Sequence, residues 1–155
     1  MKIQFFLNGS KTSIEVEPDR PLLRVLKEEL NIHSVKEGCG RGECGTCTVL
    51  LDGKPVTSCM VPAGKIRGSD VWTLEGLDRS GKIQHIQRAF MEAGAVQCGF
   101  CTPGLLVTSF ALLEKNSSPS RDDVRKAISG NLCRCTGYAK IIDAIMNSAG
   151  AVNRK

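Results

Sequence analysis

Eight cysteines in 155 residues, four in each half of the chain, limit this sequence more than any other feature. The first four are Cys39, Cys44, Cys47 and Cys59, and the second four are Cys98, Cys101, Cys133 and Cys135. Such sets are disulfides, zinc ligands or ligands to iron and sulfur. The opening run Lys2-Ile3-Gln4-Phe5-Phe6-Leu7 breaks at Asn8-Gly9 before a secretory apolar core could form. No stretch reaches the 18 or more apolar residues of a membrane span. The expectation is therefore a cytoplasmic chain in a reducing compartment, where structural disulfides are rare and cysteines serve as ligands. With only 5% aromatic residues, neither half buries much large apolar surface, so a metal crosslink would stabilise both.

The first set reads C-x4-C-x2-C followed by a fourth cysteine, the plant-type spacing for a 2Fe-2S cluster. Gly38, Gly40, Gly42 and Gly45 interleave with it. They would give the loop permissive dihedrals, room for the inorganic core and amides aimed at its sulfides. The short gap to Cys59 fits a hairpin turning at Asp52-Gly53. A strict two-residue turn pairs Cys47 with Ser58 and puts Cys59 on the wrong face. The expectation is thus a bulge or three-residue loop near Pro55, or a Cys47 outside the strand. The second set, C-x2-C and C-x-C, precedes two expected helix starts at Thr102-Pro103 and Thr136. Two helix N-termini directed at an anionic cluster would stabilise it and impose a pseudo-twofold arrangement. Structural zinc stays open for this set, although C-x-C is closer than the usual pairing of zinc ligands. Thr48 and Thr102 stand where haem attachment needs His.

The remaining pattern is α+β. Alternation over residues 2 to 17 around Asn8-Gly9 predicts a hairpin, and Leu22, Leu26 and Leu30 predict a helix over about 20 to 30, capped by Asp19 with Pro21 in its first turn. Thr46 to Leu51 and Pro55 to Cys59 form the second hairpin, and the Gly-rich residues 62 to 82 read as a connector. Beyond residue 80 the period is helical. Ile83, Ile86 and Phe90 lie on one face before a stop at Gly94. A helix from Thr102 carries Leu106, Phe110 and Leu113, and Ser120 with Asp123 forms a capping box ahead of Val124, Ile128 and a stop at Gly130. Thr136 would cap a fourth helix with Tyr138, Ile141, Ile142 and Ile145, which together suggest a bundle. The division is residues 1–76 and 77–155.

Other chemistries find little support. Gly40-Arg41-Gly42-Glu43-Cys44-Gly45 matches G-x-G-x-x-G but lacks a preceding strand and a following helix, so no nucleotide site is read there. The net charge of +5 is interspersed, which argues against nucleic acid. Two four-thiolate clusters at about −2 each would lower it to roughly +1.

The motifs Lys36-Glu37-Gly38-Cys39, Gly42-Glu43-Cys44-Gly45-Thr46-Cys47-Thr48-Val49, Gln97-Cys98-Gly99-Phe100-Cys101-Thr102-Pro103-Gly104 and Gly130-Asn131-Leu132-Cys133-Arg134-Cys135-Thr136-Gly137-Tyr138 occur in that order. In this the chain resembles, over nearly its whole length, the two-cluster iron–sulfur subunit of molybdenum hydroxylases, the group of xanthine dehydrogenase and aldehyde oxidase. The resemblance implies an N-terminal β-grasp, ferredoxin-like domain and a C-terminal four-helix bundle domain, each with a 2Fe-2S cluster. It implies molybdopterin on a large partner subunit and an electron relay from it to FAD on another partner or to another acceptor, with no catalytic residue on this chain. The cluster of Cys98, Cys101, Cys133 and Cys135 would be the pterin-side one, with Gln97 and Cys135 approaching the pterin. Cys39, Cys44, Cys47 and Cys59 would pass electrons on. No pterin or flavin domain follows Lys155, so the expectation is a separate small subunit whose partner selects the substrate. A free-standing ferredoxin-like carrier is the alternative.

Overall fold

Alternating apolar residues and an Asn-Gly pair dictate the first element. In the computed structural model, which describes residues 1–152, β1 (Lys2–Leu7) and β2 (Ser10–Glu15) pair antiparallel from Lys2↔Glu15 to Leu7↔Ser10. Asn8 and Gly9 both have positive φ, as a two-residue hairpin of this hand requires. Ile3, Phe5 and Ile14 face the core.

The expected helix near residue 20 is shorter and differently started. α1 (Leu22–Arg24) widens into a π-helical turn over Val25–Glu29, closed by Leu30 N–H donating to the Val25 carbonyl at 3.2 Å. Asp19 does not cap it. Pro21 holds the cap position in extended conformation because it bridges to Pro62, while Leu22 N–H donates to the Val61 carbonyl at 2.7 Å. Tertiary pairing thus sets the helix start.

β3 (Thr48–Leu51) and β4 (Lys54–Thr57) form the second hairpin around Asp52-Gly53, without a bulge, from Thr48↔Thr57 to Leu51↔Lys54. The expected connector over 62 to 82 contains real structure. It holds a 3-10 turn (Ala63–Ile66), strand β5 (Asp70–Trp72) and α2 (Leu74–Arg79). β5 runs parallel to β1 and antiparallel to β3, giving a mixed sheet of order β2-β1-β5-β3-β4. Val71, its one inward residue, is fully buried.

The rest is helical: α3 (Gln84–Glu92), α4 (Thr102–Lys115), α5 (Arg121–Ile128) and α6 (Ala139–Val152). Residues 153–155 of the expected second domain lie outside the described residues. α3 stops as expected before Gly94, which has φ +63°. α4 begins one residue earlier than expected, with Cys101 at the cap and Thr102 and Pro103 in the first turn. The capping box of α5 is present: Asp123 N–H donates to Ser120 Oγ at 3.1 Å, and Ser120 N–H to Asp123 Oδ2 at 2.9 Å. That helix ends at Ser129 rather than at a left-handed Gly130. Ser120→Ala is expected to cost about 1 kcal/mol of stability. A thermal melt followed by circular dichroism checks it, and an unchanged midpoint would show that the cap contributes nothing.

Two apolar clusters fill the molecule. Ile3, Phe5, Leu22, Leu26, Val49 and Val71 belong to the first, and Ile86, Phe90, Leu105, Phe110, Val124 and Ile141 to the second. Leu50 belongs to the second cluster, so β3 offers one side chain to each core as strand alternation demands. Among the described residues no helix is long and apolar enough to cross a membrane.

Candidate metal centres

The loop from Gly38 to Cys47 wraps its backbone around sulfur. Cys39 Sγ accepts from the N–H groups of Glu43 at 3.3 Å and of Arg41 and Cys44 at 3.4 Å. Those amides, that of Arg41 first, hold the Cys39 thiol down at about 6, below its usual range. Cys44 Sγ accepts from Cys39 N–H at 3.4 Å and lies 3.2 Å from Thr46 Oγ1. Gly40, Gly42 and Gly45 have the positive φ expected of them, whereas Gly38 is required for space: a Cβ there would stand 2.8 Å from Cys44 Sγ.

The hairpin puzzle resolves through Cys47. The residue precedes β3 in a turn, and Cys59 lies in a 3-10 turn (Ser58–Met60) after β4. The ladder therefore ends before either thiol, and Ser58 Oγ donates to the Cys47 carbonyl at 2.7 Å. Leaving the strand frees both side chains from its alternation. The bulge near Pro55 is absent, and of the expectations the one with Cys47 outside the strand holds. Burial, then the adjoining Cys47 thiol, pushes Cys59 up to about 11.

In the second half, Cys101 stands at the start of α4 as the sequence suggested, but Cys133 and Cys135 do not directly precede a helix. Gly137 and Tyr138, both at positive φ, form a turn before α6, so the expected pseudo-twofold clamp is broken. Thr136 does not cap α6. Its hydroxyl donates to Cys133 Sγ at 3.1 Å and accepts from Tyr138 N–H at 3.2 Å, while Tyr138 Oη accepts from Cys133 N–H at 2.8 Å. Burial acts to raise Cys133, but Thr136, through its hydroxyl and backbone, leads the bonds that bring it below the ordinary thiol value. Burial carries Cys101 up to about 12, with the Cys133 thiol next in effect. Cys135 is raised chiefly by the Cys98 thiol beside it. A cavity of about 430 Å³ lies among Cys98, Cys101, Cys133 and Cys135, lined also by Phe100 and Leu132. Cys98 and Cys135 are exposed, as is Gln97, whose Nε2 donates to the Cys135 carbonyl at 3.3 Å.

The structure thus brings each sequence-defined set together and keeps the sets apart. Within a set the thiols meet in pairs: Cys39 with Cys44, Cys47 with Cys59, Cys98 with Cys135, Cys101 with Cys133. Among the described residues no three His, Cys, Asp or Glu side chains gather so as to hold a single metal ion. Paired thiols suit a two-iron core, in which each iron takes two, better than one tetrahedral ion. All eight cysteines are free thiols. Sequence reasoning gave no role to Asn131, a buried amide between the two loops; its position two residues before Cys133 was the available signal.

A ferredoxin-like sheet carrying one four-thiol loop, joined to a helical unit carrying another, defines a two-cluster iron–sulfur protein. Residues 5–71 match the family model described as a 2Fe-2S iron-sulfur cluster binding domain, and residues 73–146 match that of a [2Fe-2S] binding domain. The nicotinate dehydrogenase small FeS subunit of Eubacterium barkeri is 52% identical over 143 residues, 92% of this chain and 91% of that one. The structure of quinoline 2-oxidoreductase from Pseudomonas putida 86 superposes with a TM-score of 0.93 at 44% identity, covering 99% of this chain and 96% of its counterpart. That of the aldehyde oxidoreductase from Desulfovibrio desulfuricans ATCC 27774 also gives 0.93, at 42% identity, over 98% of this chain but 17% of a longer one. The chain belongs to the family of small iron–sulfur subunits of molybdenum hydroxylases.

Proposed function

We propose that this chain is the electron-relay component of a heteromeric molybdenum hydroxylase, an oxidoreductase subunit with no catalytic residue of its own. The observation that carries this reading is the presence of two separate four-thiol cradles on one small chain, one recessed in a glycine-rich loop and one open at the surface. Cys39, Cys44, Cys47 and Cys59 would hold one 2Fe-2S cluster, and Cys98, Cys101, Cys133 and Cys135 the other. When bound, each cluster supplies a one-electron store of low potential, since all its ligands are thiolates.

The chain's own residues do the rest. Backbone amides around Cys39 and the Thr136 hydroxyl beside Cys133 stabilise thiolate, the form that binds metal. Cys59 and Cys101, whose thiols burial raises further, would surrender their protons on loading, since only the thiolate ligates metal. Exposed Gln97, Cys98, Phe100, Leu132 and Cys135 surround the second cradle and would face a large molybdopterin-binding subunit. Gln97 and Cys135 would stand nearest its pterin. Electrons would enter there, cross to the first cradle and leave toward an FAD-binding subunit. The same reading assigns residues 1–76 to a β-grasp domain and 77–155 to a four-helix bundle, supported by the two apolar clusters, and places the complex in the cytoplasm.

The purified native assembly is expected to contain about four iron and four acid-labile sulfide per copy of this chain. Size-exclusion chromatography should find the chain only in a complex several times its 16.7 kDa mass. Zinc without labile sulfide would replace the relay by a structural module. A monomer passing electrons to unrelated acceptors would replace it by a free carrier.

A further inference from the structure

Among the described residues, four that are not glycine have positive φ: Asn8, Asn31, Asp52 and Tyr138. Asn and Asp tolerate that region through their short polar side chains, but an aromatic residue at φ +72° stays there only if its surroundings hold it. Two contacts hold Tyr138. Its N–H donates to Thr136 Oγ1 at 3.2 Å, and its Oη accepts from Cys133 N–H at 2.8 Å. The turn at Gly137 and Tyr138 thereby presses Thr136 against Cys133, whose Sγ accepts from the Thr136 hydroxyl at 3.1 Å.

The direction of that hydroxyl is set by its neighbours. Thr136 Oγ1 already accepts from an amide, so its proton points elsewhere, and Cys133 Sγ receives it. Thr46, the corresponding hydroxyl of the first cradle, differs. It stands 3.2 Å from Cys44 Sγ but has the Lys36 carbonyl as a second acceptor at 3.3 Å, so its proton is shared. Ligation requires thiolates and no hydroxyl, and α6 begins at Ala139 without a cap from Thr136. The bond must therefore act on something other than metal holding or helix capping. A donor on a ligand sulfur favours the reduced cluster, which carries one more negative charge than the oxidised one, and so raises its potential. Thr136 and Cys133 are both half-buried, where such a bond is screened less than at an exposed site.

We propose that Thr136 sets the reduction potential of the second cluster, its hydroxyl raising that potential through Cys133 Sγ, with Tyr138 as the residue that keeps the hydroxyl aimed. This rests on the reading of Cys133 as a cluster ligand. The electron comes from the molybdenum centre of the partner subunit. Thr136 keeps its proton throughout, and no bond of the protein forms or breaks.

The test uses the loaded native complex with Thr136→Val, which keeps the shape and removes the donor, and Thr136→Ser, which keeps the donor. A redox titration followed by electron paramagnetic resonance reads the midpoint of each cluster separately. Deuterium electron–nuclear double resonance after exchange into heavy water reads the hydroxyl proton at the cluster. In Thr136→Val the second-cluster midpoint is expected to move to lower potential and one deuteron coupling to vanish, while both signals keep their intensity and the first-cluster midpoint stays in place. Thr136→Ser should match the parent in every reading. An unchanged second-cluster midpoint in Thr136→Val would overturn the proposal. A fall in Thr136→Ser as large as in Thr136→Val would overturn it too, since packing of the methyl group and not the donor would then be responsible. Should Thr136→Val lose the cluster, Thr136→Ala takes its place, and loss in both would make the hydroxyl a builder of the cradle rather than a setter of potential. Absence of the second-cluster signal in the parent complex would instead overturn the ligand assignment, and the proposal with it.

Discussion

Cys44→Ser is expected to remove one of the two paramagnetic signals of the reduced complex and to leave the other, and Cys101→Ser is expected to do the reverse. A hydroxyl is a far poorer ligand than a thiolate, and the surroundings of each cysteine are built for sulfur. Cys44 Sγ sits against Cys39 N–H and Thr46 Oγ1, and Cys101 is half-buried beside the Cys133 thiol. Iron content is expected to fall from about four to about two per chain in either variant. The signals respond singly because no thiol of one set touches a thiol of the other among the contacts that shift them. Loss of both signals from one substitution would show that the cradles do not form independently.

Gly45→Ala is expected to destabilise the protein by about 2–5 kcal/mol, from left-handed strain at φ +73° added to overpacking against the second half. The new Cβ would stand 2.2 Å from the Gly130 carbonyl, 2.8 Å from Asn131 Nδ2 and 3.0 Å from Asn131 Cα, none of which is a flexible side-chain end. Gly53→Ala is the comparison. Its φ is +79°, yet nothing lies within 4 Å of the added atom, so it should cost only about 1–2 kcal/mol. Chemical denaturation of both variants separates strain from collision. Equal losses would mean that the interface at Gly45 yields freely.

Motifs that close on themselves were legible before any coordinates. Asn8-Gly9 and Asp52-Gly53 gave both hairpins, Ser120 and Asp123 gave a capping box, and the cysteine spacings gave both thiol sets. What failed depended on partners distant in the chain. β5 has three residues and one inward side chain, too few to show alternation, and exists because β1 and β3 flank it. Asp19 lost its cap to Pro21, which a bridge to Pro62 holds extended. Thr136 has the right chemistry for a cap but spends its hydroxyl on Cys133. Asn131 had only its place two residues before Cys133 to mark it, since its partners lie 23, 83 and 86 positions away.

The late position of β5 governs how the polypeptide is assembled. Its residues, 70 to 72, leave the ribosome after both hairpins, and they alone join β1 to β3 in the sheet. Until then the nascent chain holds two small hairpins with open edges, each marginal by itself. The sheet closes by long-range pairing, the slow kind, just as α2 begins to emerge. The glycine-rich thiol loop therefore spends the early life of the chain beside an unfinished sheet, open to whatever delivers iron and sulfide. Its neighbour Asn131 follows Gly45 by 86 residues and shuts that side.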